Sequence, residues 1–552
     1  MGRSAAATTM DTRPTEHSDT LPALLAHAAA SGAILVCDGN AVQYAGLEAE
    51  SARVATGLRR LGIAPGDRVA IWLPNGVAWL ASFFACARLG AIAVSVNTRF
   101  RSSEVADVLG RSGAKVLVFS PGFKQIDFAG ILADCDRSSL SGLTAFVACP
   151  ADSTGEVPAN QTLFGRPVIP WNALSAERPL DEITGRPDSG CAIFTTSGTS
   201  SLPKFVLHDQ KSLVTHACNV ARAWGIDAGS VTLLVPPLCG IYGLCTTLSS
   251  MAGGGKLVMS AVWDARQDAE AIVHHGVTHM NASDTAVTQL LKLPQAPLFA
   301  PTLRHLGFAA FSPGEADIVA RAEAAGLRMV GLYGSSELQA LLAAQDRDAP
   351  VAERSPGGGR FVSTAAAVRA RDPETGRSLP HGQTGELEFR APESVMRGYF
   401  GNSDATAAAF TPDGWFRSGD LGFTTSHDRF VYLARMGDAL RLGGFLVNPA
   451  EIEAIIQECD GVEECQVIGV EVGGELKPVA FVIMRNGARL EEAAVIQHAR
   501  RRLARHKVPV RVLAVDAFPV TTSANGTKIQ KARLRDMAQA AMMGEKAVSA
   551  TA

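Results

Sequence analysis

The run Thr195-Thr196-Ser197-Gly198-Thr199-Ser200-Ser201-Leu202-Pro203-Lys204, directly after the apolar Ala192-Ile193-Phe194, holds the residue types that point most directly to chemistry. A strand-like segment leads into consecutive hydroxyls, a glycine and a lysine. Such a turn offers backbone N–H groups, O–H donors and one ammonium to an oxyanion, which suits a pyrophosphate tail. The spacing is not GxxxxGK[ST], so P-loop enzymes are not the analogy. A Ser/Thr-rich surface turn is the plain alternative, because hydroxyl residues are common in turns.

The elements that must position this turn have β-α-β rhythm. Apolar residues recur at helical spacing over 44–61 and Gly62 follows where a helix C-terminus wants positive φ. A strand is expected at 68–73, a helix at 77–89 and a strand at 91–96, with further strands at 116–119, 233–235, 256–259 and 327–332. This alternation implies an α/β protein with parallel sheets and crossover helices. From 372 to 383 the chain turns to charged, Gly- and Pro-bearing residues, and the stretch to 432 reads as a β-rich subdomain. A connector at 435–444 leads to a helix at 449–458, strands at 464–469 and 478–484, and a basic helix at 490–504, a smaller α+β domain. The expected division is a flexible leader at 1–20, a large domain at 21–435 and a mobile C-terminal domain at 436–552.

Composition narrows the partners. A chain of 552 residues exceeds one compact core, and 47% hydrophobic with 19% charged residues is ordinary for a globular α/β protein. A net charge of −3 with mixed signs argues against nucleic acid as partner. The ten cysteines form no CxxC pair or metal-ligand cluster and read as buried hydrophobes of a reducing cytoplasm. The first twenty residues lack a secretory apolar core, and no transmembrane segment is expected.

Four later segments bear on the hydroxyl-rich turn: Tyr333-Gly334-Ser335-Ser336-Glu337; Ser418-Gly419-Asp420; Arg435 with residues 443–453; and Asn525-Gly526-Thr527-Lys528-Ile529-Gln530-Lys531. In this order, over nearly the whole chain, the sequence resembles the adenylate-forming superfamily of acyl-CoA synthetases, adenylation domains and luciferases. The resemblance implies ATP and coenzyme A as substrates, Mg²⁺, a small-molecule carboxylic acid and possible homodimers. The implied reaction is attack of a carboxylate on the α-phosphorus of ATP, then thioester formation after the C-terminal domain rotates. Carboxylate attack needs charge offset on both the attacking and the departing group.

The resemblance assigns Thr196, Ser197, Gly198, Thr199, Ser200, Ser201 and Lys204 to the phosphates, and Ala310, Tyr333, Gly334, Ser335 and Ser336 to the nucleotide. Glu337 would ligand Mg²⁺, Asp420 would hold the ribose, Arg435 would be a second ribose or phosphate contact, and Lys528 would be the catalytic lysine. Gly437 matches the hinge, and Gly443 and Gly444 would let the backbone pass beside the pantetheine arm. The sequence departs from the pattern at Ser201 and Phe205, where glycine is usual; Phe205 must be buried or packed on its neighbouring strand. Cys239, Gly240, Asp284 and Phe308 are assigned to the acyl pocket. Gly240 should widen the tunnel, and Asp284 either caps the helix that follows or meets a polar group on the acid.

These departures point to a mid-sized acid: medium-chain, alicyclic or aromatic. The competing outcomes are loading of a separate acyl carrier protein and a non-catalytic nucleotide-binding paralogue. Lys528→Ala should abolish adenylation while leaving thioester formation from supplied acyl-adenylate largely intact, and equal loss of both half-reactions counts against the assigned role.

Overall fold

The computed structural model describes residues 19–150, 161–196, 203–310, 317–437, 439–442, 445–472, 475–523 and 526–549. Two large sheets are built on parallel strands. In one of nine strands, Ile92–Ser95, Arg68–Trp72, Val116–Phe119, Ala145–Ala148 and Arg166–Pro170 run parallel, and Gly190–Thr195 joins Ile92–Ser95. Their Val, Ile, Leu and Phe runs are buried on both faces, as parallel strands covered by helices require. In the second sheet, of 13 strands, Ile34–Cys37, Lys256–Met259, Val231–Leu234, His279–Ser283, His305–Ala309 and Met329–Tyr333 are parallel neighbours. The β-rich stretch extends this same sheet through Ala343–Ala344 and Gly358–Phe361 to the antiparallel Arg429–Arg435, Phe416–Ser426, Gly385–Arg390 and Ala367–Arg371.

The largest core lies between the sheets. It takes Val69 and Ile71 from one sheet, Leu257 and Met259 from the other, and side chains of the helices Val77–Leu89 and Ile241–Ala252. Both helices are apolar around nearly their whole circumference, which fits elements covered on every side. The helix Tyr44–Arg60 ends at Leu61, and Gly62 follows with φ +84°.

Beyond residue 440 the packing is separate. The strands Val462–Val472, Glu475–Met484 and Arg511–Ala514 form a sheet of their own, with the helices Pro449–Gln457 and Glu492–Arg502. Leu440, Leu442, Ile452, Ile456 and Val482 share one core that, among the described residues, takes nothing from before 440. The last hairpin pairs Val520–Ser523 with Gly526–Ile529.

One buried amide ties the helix Leu21–Ala30 to this frame. Gln210 is fully buried; its Oε1 accepts from Leu21 N at 3.0 Å and its Nε2 donates to Ala87 O at 2.9 Å. Gln210→Leu strands the Leu21 N–H and removes one of the two bonds to Ala87 O, which also accepts from Gly90 N at 3.2 Å, and should lower stability by about 1–3 kcal/mol, read as an earlier transition in thermal or urea unfolding.

Candidate active site

The hydroxyl-rich turn springs from an antiparallel hairpin. Gly190–Thr195 pairs with Phe205–Asp209, with Thr195 opposite Phe205. Just beyond, Thr196 N donates to Lys204 O at 3.0 Å and Lys204 N donates to Thr196 Oγ1 at 3.1 Å, closing the neck of the loop. Ser197, Gly198, Thr199, Ser200 and Ser201 lie outside the described residues. Phe205 is buried, and the Arg111 guanidinium stands 4.0 Å from its ring centre, so the missing glycine is replaced by a packed aromatic. The Lys204 ammonium lies 4.6 Å from the Tyr399 ring centre. Tyr399 O–H in turn donates to Glu337 Oε1 at 2.9 Å, so Lys204 and Glu337 meet through one tyrosine.

Glu337 follows the end of the strand Met329–Tyr333. A Cβ on Gly334 would lie 1.3 Å from Ala340 O, so only glycine lets the chain double back there. Met396 N donates to Glu337 O at 2.7 Å, and Ser335 Oγ is buried with no hydrogen-bond partner among the described residues. Strand register brings the third segment in: Asp420 sits directly opposite Arg435 on the adjacent antiparallel strand. The buried Tyr333 O–H donates to Asp420 Oδ2 at 2.5 Å. Arg435 Nε lies 3.1 Å from Asp420 Oδ1 as an ion pair without hydrogen-bond alignment, so Oδ1 is buried with no hydrogen-bond donor among the described residues. Arg435 also donates to Ser418 O at 3.2 Å and leaves half of its side chain exposed.

Burial pushes the Asp420 carboxyl up to about 6, against the opposing pull of Arg435 and Tyr333. The same burial raises the Tyr333 phenol. Because Asp420 is raised above its unfolded value, its contribution favours the native state fully below about pH 4 and is lost as pH rises through about 6. That loss is roughly 3 kcal/mol, a standing cost of keeping an ionised carboxylate in this position.

Cys239 and Gly240, between the strand Val231–Leu234 and the helix Ile241–Ala252, reach the same place. With Thr195, Ser336, Ser95 and Asn97 they line a 60 Å³ cavity. Ala310 is exposed just past the strand His305–Ala309. Helix geometry corrects the reading of Asp284 as the cap of the helix that follows it. The cap of the helix Asp284–Leu291 is Ser283, whose Oγ accepts from Ala286 N at 3.2 Å, while the buried Asp284 accepts from Thr285 N at 2.7 Å. Phe308 is buried in the core with Leu306, Ile318 and Val319 and is absent from the lining of that cavity, whereas its neighbour Ala309 packs on the opposite, inter-sheet core.

Gly437 has open space where a Cβ would stand and lacks positive φ, so nothing local demands glycine. Gly443 and Gly444 lie outside the described residues. Lys528 belongs to the strand Gly526–Ile529, and its side chain likewise lies outside the description. Sequence reasoning passed over Tyr399 and His208; the second carries a signal, a polar residue at a core-facing position of an apolar strand.

Comparison with known proteins bears on the whole chain. A family model described as AMP-binding enzyme matches residues 26–400, and one described as AMP-binding enzyme C-terminal domain matches 451–525. The chain is similar to feruloyl-CoA synthase from Amycolatopsis sp, 31% identical with 90% of this chain and 94% of that protein covered. It is also similar to the long-chain-fatty-acid–CoA ligase FadD13 of Mycobacterium tuberculosis, 30% identical over 89% of this chain and 92% of the relative. Among solved structures, ATP-bound MatB from Rhodopseudomonas palustris superposes with a TM-score of 0.80 at 25% identity, covering 94% of this chain and 98% of that one.

A ribose donating to the Asp420 carboxylate would favour its ionised form. Adenosine, which carries no titrating phosphate, should therefore bind more tightly as pH rises through about 6 and release protons on binding below it. Calorimetry in buffers of different ionisation enthalpy checks this, and Asp420→Asn should flatten the pH dependence.

Proposed function

The chain belongs to the AMP-binding enzyme family and is an AMP-forming acyl-CoA synthetase, an acid–thiol ligase; on that premise we propose that it activates a mid-sized carboxylic acid, medium-chain, alicyclic or aromatic. The carboxylate oxygen attacks the α-phosphorus of ATP, the bond to the bridging oxygen breaks and pyrophosphate leaves. The coenzyme A thiolate then attacks the acyl carbonyl of the mixed anhydride and AMP leaves.

The observation that carries the reading is the buried Asp420 Oδ1, without a hydrogen-bond partner among the described residues, held beside Arg435 on a carboxylate whose other oxygen accepts from Tyr333. A buried acceptor without a donor calls for a ligand that donates, as ribose hydroxyls do. Lys204 and the turn it closes would face the phosphates, with Ser336 donating to the α-phosphate.

Among the described residues no cluster of three metal-ligating side chains exists, and a single carboxylate suits Mg²⁺, which takes its other ligands from phosphate and water. Glu337 would hold that ion, and its Tyr399 hydrogen bond leaves the second carboxylate oxygen for it. Bound Mg²⁺ supplies charge neutralisation on the phosphate oxygens. Lys528 would deliver its ammonium from the C-terminal domain, 436–552, rotating at Gly437 against the large domain, 21–435. Gly443 and Gly444 would then border the pantetheine arm.

The acid is proposed to enter beside Cys239 and Gly240, whose cavity touches Thr195 and Ser336 and so joins the phosphate residues. Gly240 leaves room there, and the names of the two relatives, feruloyl and long-chain, agree with acids above acetate in size. No helix among the described residues is long and apolar enough to cross a membrane, and use of ATP and coenzyme A supports action in the cytoplasm.

Exchange of labelled pyrophosphate into ATP, run over linear, branched, alicyclic and aryl acids, should respond to at least one mid-sized acid, with coenzyme A-dependent AMP release on the same acid. Exchange with none of them, or with acetate-sized acids alone, sinks the proposal.

A further inference from the structure

The strand Phe205–Asp209 begins next to Lys204 and carries a histidine four places on. Phe205 and Leu207 pack on one core, and Val206 packs on another, so Val206 and His208 share a face. That face looks onto the segment after Tyr333. His208 is fully buried; its Nε2–H donates to Ser336 O at 2.8 Å and its Nδ1 accepts from Gln339 Nε2 at 3.4 Å, so the two contacts select one tautomer. Burial pushes the imidazole down to about 4, which keeps it neutral and rules out acid–base duty at neutral pH.

The segment it touches is under backbone strain. Gln339 and Ala340 take φ +58° and +53°, a left-handed region that costs non-glycine residues about 1–3 kcal/mol each and persists only where surroundings impose it. A second buried histidine, His216 of the helix Gln210–Trp224, bears on the Gln339 backbone. On the other flank Met396 N and Tyr399 O–H hold Glu337. The strained turn is thus clamped from two sides, and one clamp stands on the strand that positions Lys204.

We infer that His208 is a positioning residue that registers Ser336 and Glu337 against the strand carrying Lys204, so that Mg²⁺-bound ATP meets all three at a fixed separation. The inference rests on the reading of Glu337 and Ser336 as contacts of that ligand. A neutral histidine suits the task because it presents one rigid donor at a fixed reach, with no positive charge to desolvate or to repel Mg²⁺. Loosening a site by a fraction of its geometry lowers affinity without removing any contacting group.

Calorimetric titration of the full-length protein with ATP, with and without Mg²⁺, tests this without knowledge of the acid. His208→Leu should weaken binding in the presence of Mg²⁺ by about tenfold or more. Binding of ATP alone should change less. His208→Gln, whose amide N–H reaches Ser336 O, should stay within about threefold of the wild type. His208→Asn keeps polarity but falls short of that carbonyl and should weaken binding as His208→Leu does, which provides a second variant should the leucine one unfold. Melting curves show which variants are folded. Either short variant, folded and binding the Mg²⁺ complex like the wild type, overturns the inference. Wild-type protein that fails to bind the complex overturns the reading of the site, and the inference with it.

Discussion

The site is organised around a carboxylate kept out of water. Asp420 has almost no exposed surface, one oxygen fixed by the Tyr333 phenol and the other facing Arg435 without a hydrogen bond. Leaving a buried acceptor unsatisfied is costly, and the strands around it show what bears that cost. Tyr333 terminates a parallel strand of the second sheet, while Asp420 and Arg435 face each other across its antiparallel extension. The carboxylate therefore exists in this form only because the two kinds of strand belong to one continuous sheet. An antiparallel subdomain attached by a linker could not hold Tyr333 and Asp420 at 2.5 Å.

The same economy links the two sheets. His208 rides on a strand of the nine-stranded sheet that begins just after Lys204, and Ser336 and Glu337 follow a strand of the 13-stranded one. Tyr399, whose short strand pairs with Phe205–Asp209, bridges the gap by touching Lys204 with its ring and Glu337 with its hydroxyl. Each cross-sheet contact is made by a side chain whose backbone is locked in a ladder, so the distance between the lysine and the carboxylate is set by sheet packing. The close-packed inter-sheet core, filled by helices that are apolar all round, gives that distance its rigidity.

Much of the frame was legible because its signals are local. The helix expected at 77–89 and the strands at 116–119 and 256–259 stand where their apolar runs end in Gly, Pro or charged residues. The motif residues Tyr333, Glu337, Asp420 and Arg435 were legible as types in order. Their mutual geometry was not, because register between strands 15 residues apart and contacts between segments 60 or more apart leave no periodic trace. Tyr399 and His208 were missed for that reason: each acts on a loop more than 60 residues away. The helix cap moved by one residue, from Asp284 to Ser283, because both side chains can accept from a backbone N–H and only the backbone entering the turn decides between them.

Strand parity explains why the acid-binding wall is the hardest part to read. Neighbouring residues of a strand point to opposite faces, so a stretch such as Phe308-Ala309 contributes one side chain to the helix-covered core and the other to the layer between the sheets. Proximity in the chain to a nucleotide motif therefore says little about which side chain meets a ligand. The small cavity beside Ser336 illustrates the converse, since Ser95, Asn97, Thr195 and Cys239 come from the ends of two different strands and the loop before a helix. On the proposed reading of that cavity, selectivity for an acid would be distributed over those ends, each free to vary without disturbing the ladders behind it. A fold with one phosphate-gripping geometry could in this way serve many acids, because the groups proposed to hold the nucleotide are locked by the sheets while those proposed to meet the acid lie where the strands stop.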